Sequence, residues 1–196
     1  MKEIRYQFPL LGTERTKLTE ITNTYKKDLF ELFTDSRVTA FFPVINLKEE
    51  DDILPVIALF KQNFDTRTSI RWGIKLRESD QLIGTIGYTN FTAGHRGSLV
   101  YALKPEYWGK GLMSEALAEI IRFGFQELDI NRIEAETRPG NTSSEKLLHQ
   151  CGFQFEGLLK EWMLWNGQKY DIRMHALLQR DFQKLNQTIF REPYSV

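Results

Sequence analysis

A short apolar stretch, Leu99 to Leu103, runs into Tyr107-Trp108-Gly109-Lys110-Gly111-Leu112-Met113-Ser114-Glu115-Ala116, and beyond it Leu117, Ile120, Ile121, Gly124 and Leu128 recur at helical spacing. This order of strand, glycine turn and amphipathic helix constrains the fold more than any other feature of the chain. Two glycines separated by one residue let the backbone turn sharply and come close to a ligand, because neither carries a Cβ. The helix that opens there directs unpaired N–H groups and the positive end of its dipole into the turn, a ready site for phosphate. Such a turn also serves as plain punctuation between elements. The Walker spacing before Gly-Lys-Ser/Thr is missing, and the third glycine of a dinucleotide-binding G-x-G-x-x-G is replaced by Ser114. Nucleotide hydrolysis and NAD binding are disfavoured; a pyrophosphate on a different scaffold is not.

Before and after this segment the periodicity changes repeatedly. Glu14 to Ile21 reads as a first strand, Tyr25 to Thr34 as a helix, and Glu49 to Phe64 as a second helix whose start Pro55 displaces or kinks. Ile70, Trp72, Ile74 and Leu76 alternate, and after the turn at Glu78 to Gln81 so do Leu82, Gly84, Ile86 and Tyr88, which predicts an antiparallel hairpin. Ile133, Ala135 and Thr137 alternate against Glu134, Glu136 and Arg138 on a later strand. Thr142 with Glu145 reads as a capping box that opens a helix to Cys151. Phe153 to Trp165 and Gln168 to Leu178 form a closing hairpin through Asn166-Gly167, a pair suited to a type I′ turn. The expected fold class is α/β (α+β): a mixed, mostly antiparallel central sheet flanked by helices. No linker or repeat divides the chain, so residues 1–196 are expected to form a single domain.

Charge and cysteine usage narrow the function classes. Lys plus Arg and Asp plus Glu both number 26, which argues against a nucleic-acid binder with a broad basic face. The one cysteine, Cys151, precludes an internal disulfide and fits a reducing compartment. It reads as a small buried hydrophobe sooner than as a reactive thiol. The three histidines, His95, His149 and His175, lack ligand-like spacing, so no metal site is expected. Neither a signal peptide nor an apolar run of about 20 residues is present, and the expectation is a soluble cytoplasmic protein with no membrane partner.

The segment Leu103-Lys104-Pro105-Glu106-Tyr107-Trp108-Gly109-Lys110-Gly111, followed by Asn141-Thr142-Ser143-Ser144 and Cys151-Gly152-Phe153-Gln154-Phe155-Glu156-Gly157, resembles the acetyl-CoA signature of the GNAT N-acetyltransferases. Within that superfamily it is similar to the ribosomal-protein-alanine N-acetyltransferases, over about residues 13–182. The resemblance implies a sheet splayed between its fourth and fifth strands, with acetyl-CoA as co-substrate in the opening. It implies pyrophosphate on the backbone of Trp108, Gly109, Lys110, Gly111, Leu112 and Met113, with the Ser114 hydroxyl nearby. Lys110 reads equally as a phosphate partner or a solvated lysine. Glu106 departs from the Arg or Gln usual three residues before the first glycine. Leu103 and Lys104 stand where such enzymes pair strand backbone with the pantetheine arm. Asn141 is expected to bond the pantetheine, its alternative being a turn or pre-cap residue. Ser144 is expected near the cofactor sulfur, its alternative being a solvated helix-start serine.

For the general base the resemblance points to Glu136, with Glu134 on the same face as the understudy; a solvated strand carboxylate is the alternative. Two departures stand out: Leu148 replaces a proton-donating tyrosine, and Met163 a catalytic glutamate of another branch, with Glu161 two residues away on the same face of a regular strand. Ordered water is a further candidate for taking the amine proton. Phe41, Phe42 and Pro43 border either the acceptor cleft or the core, and Trp162 and Trp165 read as packing sooner than as walls on the acceptor side. The acceptor implied is an amine, either a peptide N-terminus such as a ribosomal protein's or a small amine of metabolite or aminoglycoside type. A non-catalytic CoA-binding module is the competing class, and the resemblance allows a homodimer.

Overall fold

The computed structural model describes residues 7–43, 47–92 and 94–189, with side chains as far as Lys184. In chain order it contains β1 (Leu11–Gly12), β2 (Thr16–Glu20), α1 (Lys26–Thr34), α2 (Ser36–Thr39), α3 (Leu54–Asp65), β3 (Ile70–Leu76), β4 (Leu82–Thr92) and β5 (Arg96–Leu103). Then follow α4 (Leu112–Gln126), β6 (Arg132–Thr137), α5 (Thr142–Gln150), β7 (Gln154–Trp165), β8 (Gln168–Leu178) and α6 (Gln179–Ile189). The strands form one sheet in the order β1-β2-β3-β4-β5-β6-β8-β7. Every neighbouring pair is antiparallel except β5 with β6, the pair joined through the α4 crossover.

Both faces of the sheet are covered. Leu18, Ile70, Trp72, Ile74, Ile86 and Tyr88 meet Leu117, Ile120 and Ile121 of α4 and Leu148 of α5 on one side. On the other, Ile21, Leu82 and Ala102 meet Leu29, Leu32 and Phe33 of α1 and Ile57 of α3. Pro55 sits in the first turn of α3, where its missing N–H costs nothing, after a 3-10 turn at Glu50–Ile53. Asn166 and Gly167 take φ of 48° and 74°, the two positive values that a type I′ turn requires.

Three expectations need correction. Leu82 does not share a face with Ile86 and Tyr88: a bulge opposite Ile74 and Lys75 inserts one residue, turning Leu82 toward α1 and Ile83 toward α4. The α5 N-cap is Asn141, whose Oδ1 accepts from the Ser144 amide at 3.2 Å, and not Thr142; Glu145 pairs instead with Arg173. The sequence also left β1, α2 and α6 without elements; α6 is anchored by Phe182 against Phe125, ring centroids 5.0 Å apart.

The sheet divides at one place. β5 and β6 pair from Arg96↔Arg132 to Leu99↔Ala135 and no further, although β5 continues to Leu103 and β6 to Thr137. With the two-residue β1 left out of the count, these are the strands expected as fourth and fifth, and the splay lies between them. Among the described residues no helix is long and apolar enough to cross a membrane.

Beyond the splay His175 lies buried on β8, its Nε2 3.2 Å from Thr137 Oγ1. Burial holds its pKa below the ordinary histidine value, Glu145 opposing and Arg173 reinforcing. The unfolded chain therefore binds this proton first, so the stability contributed is present above about pH 6.5 and is lost as pH falls. The unfolding midpoint of His175→Gln should fall less steeply on acidification than that of the wild type. Identical slopes would remove His175 from the acid response.

Candidate active site

The splay is the mouth of a cavity of about 970 Å³. After β5 the chain makes a 3-10 turn at Pro105–Tyr107, then places Gly109 at φ 70° and Gly111 at φ 76°, with Gly111 as the N-cap of α4. These left-handed residues turn successive amides toward the opening helix end. Arg15 fastens the turn to the rest of the fold: its Nη1 donates to the Lys110 carbonyl at 3.0 Å, and its guanidinium pairs with Glu115.

The neighbouring edge of β5 is open. The Lys104 N–H donates to the Ile83 carbonyl at 2.8 Å, toward β4. By the alternation of a strand, Tyr101 and Leu103 turn their backbone groups the other way, into the gap. The Leu103 carbonyl there accepts from the Trp108 indole N–H at 2.7 Å. Across the gap Ser144, in the first turn of α5, brings its Oγ within 2.5 Å of Tyr101 Oη. Burial pushes the Tyr101 phenol up to about 12, with the Ser144 bond partly opposing, so the phenol keeps its proton through the neutral range.

Leu103, Trp108, Gly109, Gly111, Leu112, Met113, Ser114, Glu136, Asn141 and Ser144 all line this cavity. Lys104 and Lys110 do not. The Lys104 ammonium is buried between Asp28 (3.0 Å) and Glu31 (2.8 Å), and its amide is spent on Ile83, so it pins α1 to the sheet. The Lys110 ammonium lies over the Tyr107 ring, 5.4 Å from its centroid.

The carboxylates separate by position. Glu136 stands exposed on the lip, its Oε1 accepting from the Trp162 indole at 3.4 Å. Glu134 is away from the cavity, held by Arg132 at 2.8 Å and Arg96 at 3.1 Å. Glu161 does not share a face with Met163, because β7 loses register between Leu159 and Met163 and Glu161 takes φ 50°; its carboxylate meets Lys169. Met163 lines the cavity, while Leu148 is fully buried in the core. Trp162 is 59% exposed and so is not packing, in contrast to the expectation from sequence. Phe41, Phe42 and Pro43 line the far chamber, and Phe42 stacks on Phe33 at 5.7 Å. Cys151 is half-buried, and burial raises its thiol to about 11, away from the thiolate that a nucleophile needs. Among the described residues no three His, Cys, Asp or Glu side chains are grouped to hold a metal ion.

Two contributors escaped the sequence reading. Tyr101 lies inside the apolar stretch Leu99 to Leu103, and nothing in the strand's alternation distinguishes a phenol that reaches the gap. Arg71, which also lines the cavity, sits in a strand covered on both faces, where burial does not alternate.

An anion-ready turn beside an interrupted sheet, opening into one continuous cavity, makes a site for an extended, phosphate-bearing ligand that lies along a free strand edge. The family model described as the acetyltransferase (GNAT) domain matches residues 15–154. The chain belongs to the GNAT family and is an acetyl-CoA-dependent N-acetyltransferase. It is 33% identical over 173 residues to the uncharacterised N-acetyltransferase YoaA of Bacillus subtilis (strain 168), covering 88% of this chain and 98% of that protein. Over 107 residues, 54% of this chain and 55% of the other, it is 36% identical to the [ribosomal protein uS5]-alanine N-acetyltransferase of Escherichia coli (strain K12). In fold it resembles the crystal structure of the ribosomal-protein-S5-alanine acetyltransferase of Vibrio fischeri, with a TM-score of 0.77 at 23% identity over 89% of this chain and 98% of that one.

Proposed function

We propose that the whole chain acts as one N-acetyltransferase domain in the cytoplasm, moving the acetyl group of acetyl-CoA to the α-amine of a protein N-terminus such as that of a ribosomal protein. The observation that carries acetyl transfer is the continuity of the cavity from the Gly109–Gly111 turn, past the open edge of β5, to the chamber beyond Glu136. The similarity to the uS5-alanine enzyme supports the peptide acceptor.

In this reading the amides from Gly109 to Met113, with Ser114, hold the pyrophosphate at the start of α4; the Trp108 N–H, expected among them, is spent on the Pro105 carbonyl at 3.1 Å. The backbone groups of Tyr101 and the Leu103 N–H, which face the gap, take the pantetheine arm as an added strand, and Asn141 closes over it. The amine must arrive or become neutral before it attacks. Glu136 accepts that proton as the new C–N bond forms, and the C–S bond of the thioester then breaks. Ser144 gives a proton to the departing thiolate and is resupplied by the Tyr101 phenol that touches it. Tyr101 thus stands in for the hydroxyl that Leu148 lacks. A second copy of the chain is the proposed oligomeric partner.

Glu136→Gln keeps the shape of the lip and removes the base. It should lower kcat/KM by at least about tenfold while acetyl-CoA affinity, measured by calorimetry, stays nearly unchanged. An unaltered rate would take Glu136 out of the mechanism.

A further inference from the structure

The chamber beyond the gap contains a buried cation with no counter-charge among the described residues. Arg71 lies in the middle of β3, is 9% exposed, and its Nη1 has no hydrogen-bond partner among the described residues. Its guanidinium lies over the ring of Phe60, 5.4 Å from the centroid. Burial lowers its pKa to about 10, so it remains charged in neutral solution. An isolated buried guanidinium weakens a fold unless something pairs with it. A methionine or leucine would serve the core better there, so the arginine requires a reason outside stability.

Its surroundings supply one. Ile70 and Trp72 face α4, so Arg71 faces the α1 and α3 side. There it shares the cavity wall with Phe33, Val38, Phe42, Val56 and Phe60. Along the sheet Arg71 is opposite Gly87, and Gly87 is opposite Val100, the first β5 residue past the last pair with β6. Arg71 therefore lies level with the opening, two strands away, or about 10 Å. Gly87 adds no side chain between them. The charged residues of the wall are Arg37, Arg71, Arg138 and Glu136. Arg37 is paired with Asp35 at 2.6 Å, and Arg138 donates to the Ala40 carbonyl at 2.8 Å while stacking on Tyr170. Only Arg71 among these cations lacks a polar partner within the described residues.

We propose that Arg71 is the specificity determinant of the acceptor site: the acceptor is an amine that carries, several bonds away, a carboxylate or phosphate that docks on this guanidinium. The proposal rests on the acetyltransferase reading of the cavity and narrows its acceptor. The spacer follows from the two-strand separation; the carboxylate of a simple α-amino acid lies too near its own amine to span it. A planar guanidinium matches either anion through two parallel N–H bonds, which the ammonium of a lysine does not reproduce. The anion has two sources, an acidic side chain near a peptide N-terminus or the acid group of a small amine.

The test uses two isosteric or matched pairs, Ala-Glu-amide with Ala-Gln-amide and phosphoethanolamine with ethanolamine. Each is titrated against the wild type, Arg71→Met and Arg71→Lys. Binding is read with CoA present as the shift in unfolding midpoint, and turnover is read separately as thiol release from acetyl-CoA. One anionic member should bind wild type at least tenfold more tightly than its neutral mate, and which pair responds identifies the source. Arg71→Met should erase the preference, Arg71→Lys should retain part of it, and the methionine variant alone should unfold no earlier than wild type. Equal binding of both members of each pair, or a preference that survives in Arg71→Met, overturns the proposal. So does a collapse of the methionine variant's stability, which would give Arg71 a structural role. Thiol release without anion preference discards Arg71 and leaves acetyl transfer standing. Anion preference without thiol release from any amine does the reverse.

Discussion

Gly111→Val should weaken acetyl-CoA binding by at least about a hundredfold, ~3 kcal/mol, the loss expected when two amide bonds to a charged group are forfeited. The cause is the backbone. Gly111 holds φ 76° at the N-cap of α4, a region where a β-branched residue is an outlier. A Cβ there would meet only Arg15 Nη2 at 3.1 Å, and Arg15 is exposed enough to move aside. The loop would escape the strain by leaving the left-handed region, and its amides would then point elsewhere. Asparagine tolerates that region, so Gly111→Asn should keep much more affinity than the valine variant. Calorimetric titration with acetyl-CoA separates the outcomes. Wild-type affinity in Gly111→Val would end the assignment of the loop, and equal losses in both variants would mean that bulk, not backbone, is at fault.

Gly124→Ala should be a strongly damaging small change in the core, costing about 3 kcal/mol at the upper end of overpacking. An added Cβ would lie 2.3 Å from Tyr88 Oη and 2.9 Å from its Cζ. Tyr88 has no room to retreat: it is fully buried, and its hydroxyl donates to the Ile120 carbonyl at 2.8 Å. The α4 helix would have to lift from the sheet, and Leu112 at its first turn would shift with it. Tyr88→Phe alone loses one hydrogen bond, about 1 kcal/mol. In the double variant the closest atom is gone, so the combined loss should be smaller than the sum, with a coupling of at least about 0.5 kcal/mol. Urea unfolding of the four proteins measures it. Strict additivity would show that helix and tyrosine do not meet as described.

Legibility followed the range of the interactions. The turn at Asn166-Gly167, the glycine turn before α4 and the alternation of β3 and β6 are written in neighbouring residues, and the sequence foretold each of them. Leu82 escaped because a single inserted residue reverses every later side chain, and the pattern Leu-Ile-Gly-Thr-Ile-Gly is apolar in either register. Asn141 and Thr142 can both cap a helix, and local sequence does not choose between adjacent cap formers. Lys104 was assigned by its neighbour Leu103, but consecutive strand residues face opposite edges, so only one of the two could open onto the gap. The contact of Tyr101 with Ser144 joins residues 43 apart, and only the crossover through α4 and β6 brings them together. Arg71 shows the same limit: its meaning lies in the partner it lacks, and a missing partner has no sequence pattern.

The sheet is, mechanically, a fork. Its two prongs, β1 to β5 and β6 to β8, are joined at the crotch by the short ladder between Arg96–Leu99 and Arg132–Ala135. Glu134 sits on that ladder and bolts one prong to the other: Arg96 reaches it from β5, while Arg132 on β6 holds it and clasps Glu156 of β7 as well. A carboxylate that looked like a spare base is therefore a brace. It ties the two prongs together where the slot between them begins.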